Sequence, residues 1–472
     1  MIGQACYSDF RRDLGSFRDP DGFVVWDSDR VFRVVLPRAV ERWRQFVGSG
    51  LMAELRSAGL LVPTEEVPAR MLAAEHFVPP GSIVLEHERI PFVSYPYEWT
   101  FDMLRDAALL HLEIVERSLR HNWIPKDATG YNVQFRGVTP LFIDVLSFVP
   151  VQAGEPWIGY NQFCRTMLYP LMLEAYKGVP FQPWLRSELE GIDPVVFGRM
   201  FRGLDRFRPG VMSHVTAQAY LQEKFASVDY SVRRKIKSAG MTPDMIARNV
   251  RKLRKLLLSL RPTPTSTAWS SYSRSHYRED ALVRKEAFVS ESAAGRRFDL
   301  VWVLGCNDGH FCPIIAPAAR ALVAMDSDAS CINRLYCSLR EEQRTNILPL
   351  LMNVANPSPS QGWASGERAS LVERGKPDLT LALALVHHLV ISANVPLAAF
   401  LEWLARVTRE LVIEFVSKED AMVRRLLLNK DDTYSDYYRE AFERYLQTYF
   451  RILAREELPG GTRFLYHGTA SS

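Results

Sequence analysis

The sequence predicts an α/β fold for the carboxyl-terminal third, a doubly wound sheet, with an α+β region in front of it. Three observations predict this. Apolar runs at Phe298–Leu304, 321–325, 377–386 and Glu410–Val416 alternate with helical spacing, which gives the order βαβαβαβ. The first run leads straight into a turn bracketed by Gly305 and Gly309. Upstream, residues 22–36 read as a β-hairpin, mostly helical patterns follow, and the stretch RPTPTST at 261–267 breaks the chain. The expected organisation is an α+β domain over 1–260, a linker over 261–290 and the α/β domain over 291–472.

At 472 residues the chain has room for two or three cores. With 47% apolar and 24% charged residues, folded structure is expected throughout rather than disorder. A net charge of +4 is small for this length and gives no warrant for a nucleic-acid partner. Six scattered cysteines without metal-ligand spacing read as reduced thiols. The chain begins without a basic region followed by an apolar core, and no run approaches the ~18 apolar residues of a membrane span. A cytoplasmic protein is therefore expected. Nothing in the sequence speaks to its oligomeric state.

Taken in order, the first element is the hairpin at 22–36, with its turn at Asp27-Ser28-Asp29; a second strand pair is expected at 83–86 and 91–95. Residues 101–122 carry apolar side chains at helical spacing. They lead to Asp127 and Asn132, with Asp144 twelve residues further on. That D-x-x-x-x-N spacing with a following Asp resembles the catalytic loop and metal-binding Asp of protein kinases. The resemblance implies that Asp127 orients a hydroxyl while Asn132 and Asp144 hold magnesium. Two features depart from it. No lysine precedes Lys126, and no Gly-rich loop precedes Arg33, the residue that could stand in for the missing strand lysine. Three readings stay open: a degenerate kinase-like domain that positions a substrate or partner, an α+β domain with a coincidental spacing, and an active phosphotransferase.

Residues 150–260 are mostly helical in pattern. Within them, 232–261 is basic, with Arg233, Arg234, Lys235, Lys237, Arg248, Arg251, Lys252, Arg254 and Lys255 interleaved with leucines. Such a helix either meets an acidic partner or a membrane surface, or packs and leaves a solvated face. Past the break, Trp269, Tyr272, His276, Tyr277 and Lys285 precede the first strand. Trp269, Tyr272 and Tyr277 are candidates for a lid that excludes water from a site in the α/β domain. Packing between domains would use the same aromatics.

In the α/β domain, the turn Leu304-Gly305-Cys306-Asn307-Asp308-Gly309 lets backbone approach a nucleoside closely, and Asp326 ends the next strand where a carboxylate can take both ribose hydroxyls. A dinucleotide site would want G-x-G-x-x-G, and only two glycines are present. The form instead resembles motif I of class I S-adenosylmethionine-dependent methyltransferases. One position departs: the acidic residue usual two places before the first glycine is Val303, and Asp308 is the candidate substitute. The resemblance places Asn353, or alternatively Asn356, against the adenine amino group. The run at 377–386 delivers His387 and His388 at its carboxyl end, and the strand at Glu410–Val416 carries Glu414. Either histidine suits a general base, and Glu414 suits an acceptor amine or simply completes the strand.

The segments NPSPSQGW at 356–363, LALVHHL at 383–389 and IEFV at 413–416 extend the resemblance to the NoeA-like nodulation protein group, over most of the chain. It implies a Rossmann-like domain using S-adenosylmethionine, bound by Gly305, Cys306, Asn307, Asp308, Gly309, Asp326, Asn353, Tyr272 and Tyr277. Methyl transfer to an oxygen or nitrogen of a small-molecule acceptor is the expected reaction, with His387, His388 and Glu414 on the acceptor side and no metal. The rival readings are a non-catalytic interaction protein with both domains degenerate, and a bifunctional kinase-methyltransferase.

Overall fold

Five short strands open the chain in a computed structural model that describes residues 10–72, 77–152, 154–226, 240–263, 279–428 and 430–471. They are β1 (Phe10–Arg12), β2 (Gly22–Asp27), β3 (Arg30–Val35), β4 (Thr64–Val67) and β5 (Ile83–His87), antiparallel in the order β1-β2-β3-β5-β4. The expected hairpin is β2–β3, with Ser28 at φ +56° in its turn. The expected partner for β5 at 91–95 is not a strand. Pro91 has no N–H to give a ladder, and Ser94 bonds the Gln134 side-chain amide in both directions at 2.9 Å instead. β4, which the sequence reading passed over, takes that edge.

Helix α1 (Pro37–Gly48) starts on proline and buries Ala39, Val40, Trp43 and Phe46, a stripe at helical spacing. α2 (Phe101–Arg120) is capped by Thr100, whose hydroxyl accepts from Met103 N–H. After it come β6 (Trp123–Pro125), the hairpin β7 (Val133–Arg136) with β8 (Thr139–Phe142), and β9 (Phe148–Pro150), which pairs with β6. This places Asp127 just past β6, Asn132 just before β7 and Asp144 just past β8. α3 (Tyr169–Lys177) and α4 (Pro243–Ser259) pack against α2.

The carboxyl-terminal sheet contains β10 (Phe298–Leu304), β11 (Ala319–Asp326), β12 (Ile347–Leu351), β13 (Leu379–Ala382), β14 (Glu410–Val416), β15 (Phe450–Glu457) and β16 (Arg463–Ala470), in the order β12-β11-β10-β13-β14-β16-β15. The first five are parallel, and β16 runs antiparallel to β14. Its longer helices are α5 (Glu279–Ala293), α6 (Ala329–Glu341), α7 (Leu397–Val407) and α8 (Arg439–Tyr449). The four expected strands are present. β12 and the β15–β16 hairpin are additions. β13 is shorter than its apolar run, because Ala384 turns the chain out of the sheet at φ +50°.

One hydrophobic core runs through both halves, with a small second cluster of Val25, Phe32, Val34, Leu72 and Val84 against the first sheet. The seam between the halves is tight. A Cβ on Gly137 would lie 2.3 Å from the Thr345 carbonyl oxygen. Tyr336 of α6 donates to Asp106 of α2 at 2.7 Å, and Arg374 pairs with Glu98 at 2.5 Å with both side chains almost wholly buried. Removing one partner of such a pair costs about 3–5 kcal/mol.

Candidate functional site

A cavity of about 340 Å³ opens at the carboxyl ends of β10, β11, β12 and β13, where the strand order reverses between β10 and β13. The turn after β10 forms one wall. Gly305 and Gly309 hold φ at +68° and +81°, and Asn307 between them sits at +50°, angles that glycine and, less freely, asparagine tolerate. Space selects glycine as well, since a Cβ on Gly309 would meet Leu335 of α6 at 2.5 Å. The helix that follows this turn, Cys312–Ile315, has only four residues.

Asp326 is fixed by that turn. One carboxylate oxygen accepts from Asn307 N–H at 2.8 Å and the other from Asp328 N–H at 2.9 Å. Burial pushes its carboxyl up, and the backbone N–H groups oppose the shift. Carboxylate oxygens accept more than one bond each, so Asp326 keeps acceptor capacity toward the cavity it lines. Cys306 and Asp308 also line it, as does Val303 at the position where an acidic residue was expected; Asp308 is the exposed one of the three. Burial pushes the Cys306 thiol up, which keeps it neutral. Asn353 is on the wall, its Oδ1 accepting from Ala355 N–H at 2.9 Å. Asn356 is elsewhere, with its backbone and side-chain oxygens taking the Arg186 guanidinium at 3.3 and 3.2 Å.

The histidines divide. His388 lines the cavity at the start of a π-helical turn, His388–Ser392, and burial and nearby Arg463 hold its imidazole down to about 4. His387 does not reach the cavity: it is fully buried, neither ring nitrogen has a hydrogen-bond partner, and desolvation drives its pKa far down. The expectation that either could serve is corrected to His388, because consecutive residues in a helical turn point to different faces.

Glu414 is the second correction. Fully buried, it pairs with Lys285 at 2.5 Å and Arg463 at 3.1 Å, and Arg463 in turn pairs with Asp420 at 2.8 Å. Burial would raise its carboxyl, but the two cations outweigh burial and hold it below the usual carboxylate range. With its charge satisfied it faces no acceptor amine. Its Oε2 takes the Ala384 N–H at 2.8 Å and so pins the left-handed turn that carries the chain from β13 toward His388. The missed lining residues include Lys285, Phe311, Ser327, Met352 and Ala384. Only Lys285 carried a signal, as a polar residue in the stretch leading into the sheet. The lid candidates Trp269, Tyr272 and Tyr277 lie outside the described residues.

A second cleft, of about 370 Å³, gathers Asp127, Asn132, Asp144 and Arg33 as the sequence expected. Asn132 donates to Asp144 at 3.3 Å, and Arg33 bridges Asp19 and Asp144 at 3.2 and 3.1 Å. Every lining cation already faces a carboxylate: Arg18 meets Glu367 at 2.8 Å, Lys126 meets Asp21 at 2.7 Å and Arg368 meets Glu367 at 3.6 Å. Burial, with Asp144 nearby, pushes the Asp127 carboxyl up to about 6. The segment between β12 and β13 touches both sites, with Met352–Ala355 on the first and Glu367 and Arg368 on the second. Among the described residues, no group of three or more His, Cys, Asp or Glu side chains is placed to hold a metal, and no helix is long and apolar enough to cross a membrane.

Compared with known proteins, the chain is 33% identical over 460 residues to the nodulation protein NoeA of Rhizobium meliloti (strain 1021), covering 96% of this chain and 95% of that one. No family model matches. Among solved structures it is similar to the N-methyltransferase NodS from Bradyrhizobium japonicum WM9 in complex with S-adenosyl-L-homocysteine, with a TM-score of 0.32, 14% identity, and coverage of 44% of this chain and 100% of that one. It is also similar to the bifunctional kinase-methyltransferase WbdD, with a TM-score of 0.27, 20% identity, and coverage of 40% and 38%. Scores of this size leave the chemistry to be read from the residues themselves.

Proposed function

The chain belongs to the family of the nodulation protein NoeA, and from that premise and the cavity at β10–β13 we propose that it is an S-adenosylmethionine-dependent methyltransferase acting on an oxygen or nitrogen of a small-molecule acceptor. The observation that carries the reading is Asp326, held by the N–H of the glycine turn beside a cavity at the reversal of strand order. A nucleoside with a vicinal diol suits that carboxylate. A dinucleotide suits the site less, because its pyrophosphate wants the N-terminus of a substantial helix, and the helix here is a single turn.

Bound there, S-adenosylmethionine supplies the electrophilic methyl group. Gly305 and Gly309 admit it close to backbone, Asp326 accepts from its ribose, Asn353 meets its adenine, and Asp308 takes the ammonium role that Val303 cannot. Catalysis is chiefly orientation for in-line displacement. His388, neutral at physiological pH, is the group available to take a proton from the acceptor. The reaction is assigned to the cytoplasm, in keeping with Cys164, Cys306, Cys312, Cys331 and Cys337 standing free of disulfides among the described residues.

The amino-terminal half is a degenerate kinase-like domain in this reading, with its phosphate-side cations neutralised internally. A phosphotransferase remains the second reading, favoured by Asp127, since a carboxyl raised to about 6 in a cleft is typical of working acids and bases. To test the main reading, the protein is incubated with methyl-labelled S-adenosylmethionine and fractionated cell extract. Label should enter the small-molecule fraction, and Asp326→Ala should reduce it at cofactor concentrations that do not saturate the variant. Label in protein or nucleic acid would overturn the acceptor class, and no label in any fraction would overturn the activity.

A further inference from the structure

The basic helix singled out by the sequence plays no part in either cleft, and its surroundings give it a use. α4 buries Ile246, Val250, Leu253, Leu256 and Leu257, and exposes Arg248, Arg251, Lys252 and Lys255. Among the described residues none of these four cations is in an ion pair. Gly210, between the turn Gly203–Phe207 and the segment Val211–Thr216, packs against α4, where a Cβ on it would touch Leu256 at 2.4 Å. This neighbouring stretch adds Arg202 and Arg206, also without ion pairs among the described residues, and holds out three apolar side chains: Leu204 at 85% exposure, Phe207 at 78% and Met212 at 54%. Residues 194–223 and 240–263 together carry ten Arg and Lys against three Asp and Glu, a net of +7. The whole chain is only +4, so the rest of the molecule is net acidic.

We propose that this face docks on an anionic lipid bilayer, with the cations of α4 and the 202–206 turn against the headgroups and Leu204, Phe207 and Met212 entering the headgroup and acyl boundary. Both components of interfacial binding are present, unpaired cations and protruding apolar side chains among them. The apolar component decides against nucleic acid. Phe207 could stack on a base, but a nucleic-acid surface gives Leu204 and Met212 no apolar surroundings of that kind, whereas the acyl boundary would take in all three.

The test is co-sedimentation of the full chain with vesicles of phosphatidylcholine alone, or of phosphatidylcholine with phosphatidylglycerol. Binding is expected only with phosphatidylglycerol, and added salt should weaken it. R251E/K255E should reduce it by at least about tenfold, and L204S/F207S by roughly as much. All four positions lie outside both clefts, and S-adenosylmethionine binding in each variant serves as the check on folding. Equal binding to neutral vesicles would overturn the electrostatic part, and full binding by L204S/F207S would overturn insertion. Retention of a DNA or RNA oligonucleotide lost in R251E/K255E, with no vesicle binding, would reassign the face to nucleic acid.

Discussion

The two clefts of this chain differ in how many charged side chains they hold, three in the first (Lys285, Asp308 and Asp326) against nine in the second, and in how those groups are paired. In the carboxyl-terminal cavity, Asp326 is held by neutral backbone N–H groups, and among the described residues neither it nor Asp308 is in an ion pair, so both keep acceptor capacity for a ligand. In the amino-terminal cleft, Arg18, Arg33, Lys126 and Arg368 each face a carboxylate of the protein. A phosphate entering that cleft would compete with an existing ion pair at every cation it met. Whether a motif's charges are already spent on each other separates a working site from a preserved shape better than the presence of the motif does.

The comparison can be broken most forcefully at the buried ions behind the cavity. Glu414→Ala leaves Lys285 buried without its carboxylate and frees the Ala384 turn, and should cost about 3–5 kcal/mol in urea unfolding. If that turn is what Glu414 pins, Ala384→Gly should partly restore S-adenosylmethionine affinity in a Glu414→Gln background and do little alone, since glycine adopts the +50° angle without strain. Equal effects in both backgrounds would make Glu414 a stability residue only.

Next in size is His388→Ala, which should slow methyl transfer by roughly 10²–10⁴-fold with cofactor affinity nearly intact. His387→Ala should instead act on stability. The pH profile sharpens the same point. A His388 imidazole held to about 4 stays unprotonated through neutrality, so the acid limb of turnover should not appear until pH falls below about 5. A limb at an ordinary histidine pKa would place the base elsewhere.

Stability itself should fall with acid. His87 and His111, buried and held to about 3, bind protons in the unfolded chain near pH 6.5 but not in the folded one. The unfolded state then gains protons first, so stability should decline as pH drops from about 6.5 toward 3, as measured by the midpoint of thermal unfolding. Smallest of all is Asp127→Asn. Its carboxyl is raised in the fold, so the wild type loses stability as pH rises through about 6. The variant should gain stability at pH 8, lose that gain by pH 4, and leave S-adenosylmethionine binding alone.

Much of this was legible in the sequence wherever one residue's local chemistry was decisive. Gly305, Gly309 and Asp326 announce themselves because a turn between strand and helix and a polar strand end are local patterns. Asp127, Asn132 and Asp144 converge because a short loop and one hairpin connect them. What the sequence hid depends on partners far apart in the chain. Glu414 looked like a ligand for an acceptor until Lys285 and Arg463 appeared around it, 129 and 49 residues away. His387 and His388 were indistinguishable as neighbours, and only the helical turn assigns one to the core. Ala384 in a left-handed conformation leaves no trace, since alanine is not a residue that signals it. β12 and the β15–β16 hairpin were missed for another reason: short apolar runs such as 347–351 have no periodicity of their own.

Calorimetric titration of the full chain, with S-adenosylmethionine in one experiment and magnesium-ATP in the other, tests the contrast between the clefts most directly. S-adenosylmethionine should bind at a single site, Asp326→Ala should weaken it by about 1–3 kcal/mol, and magnesium-ATP should give no heat of binding. Binding of magnesium-ATP that Asp144→Asn removes, or S-adenosylmethionine affinity unchanged in a folded Asp326→Ala protein, would contradict the assignment of one live cleft and one spent one.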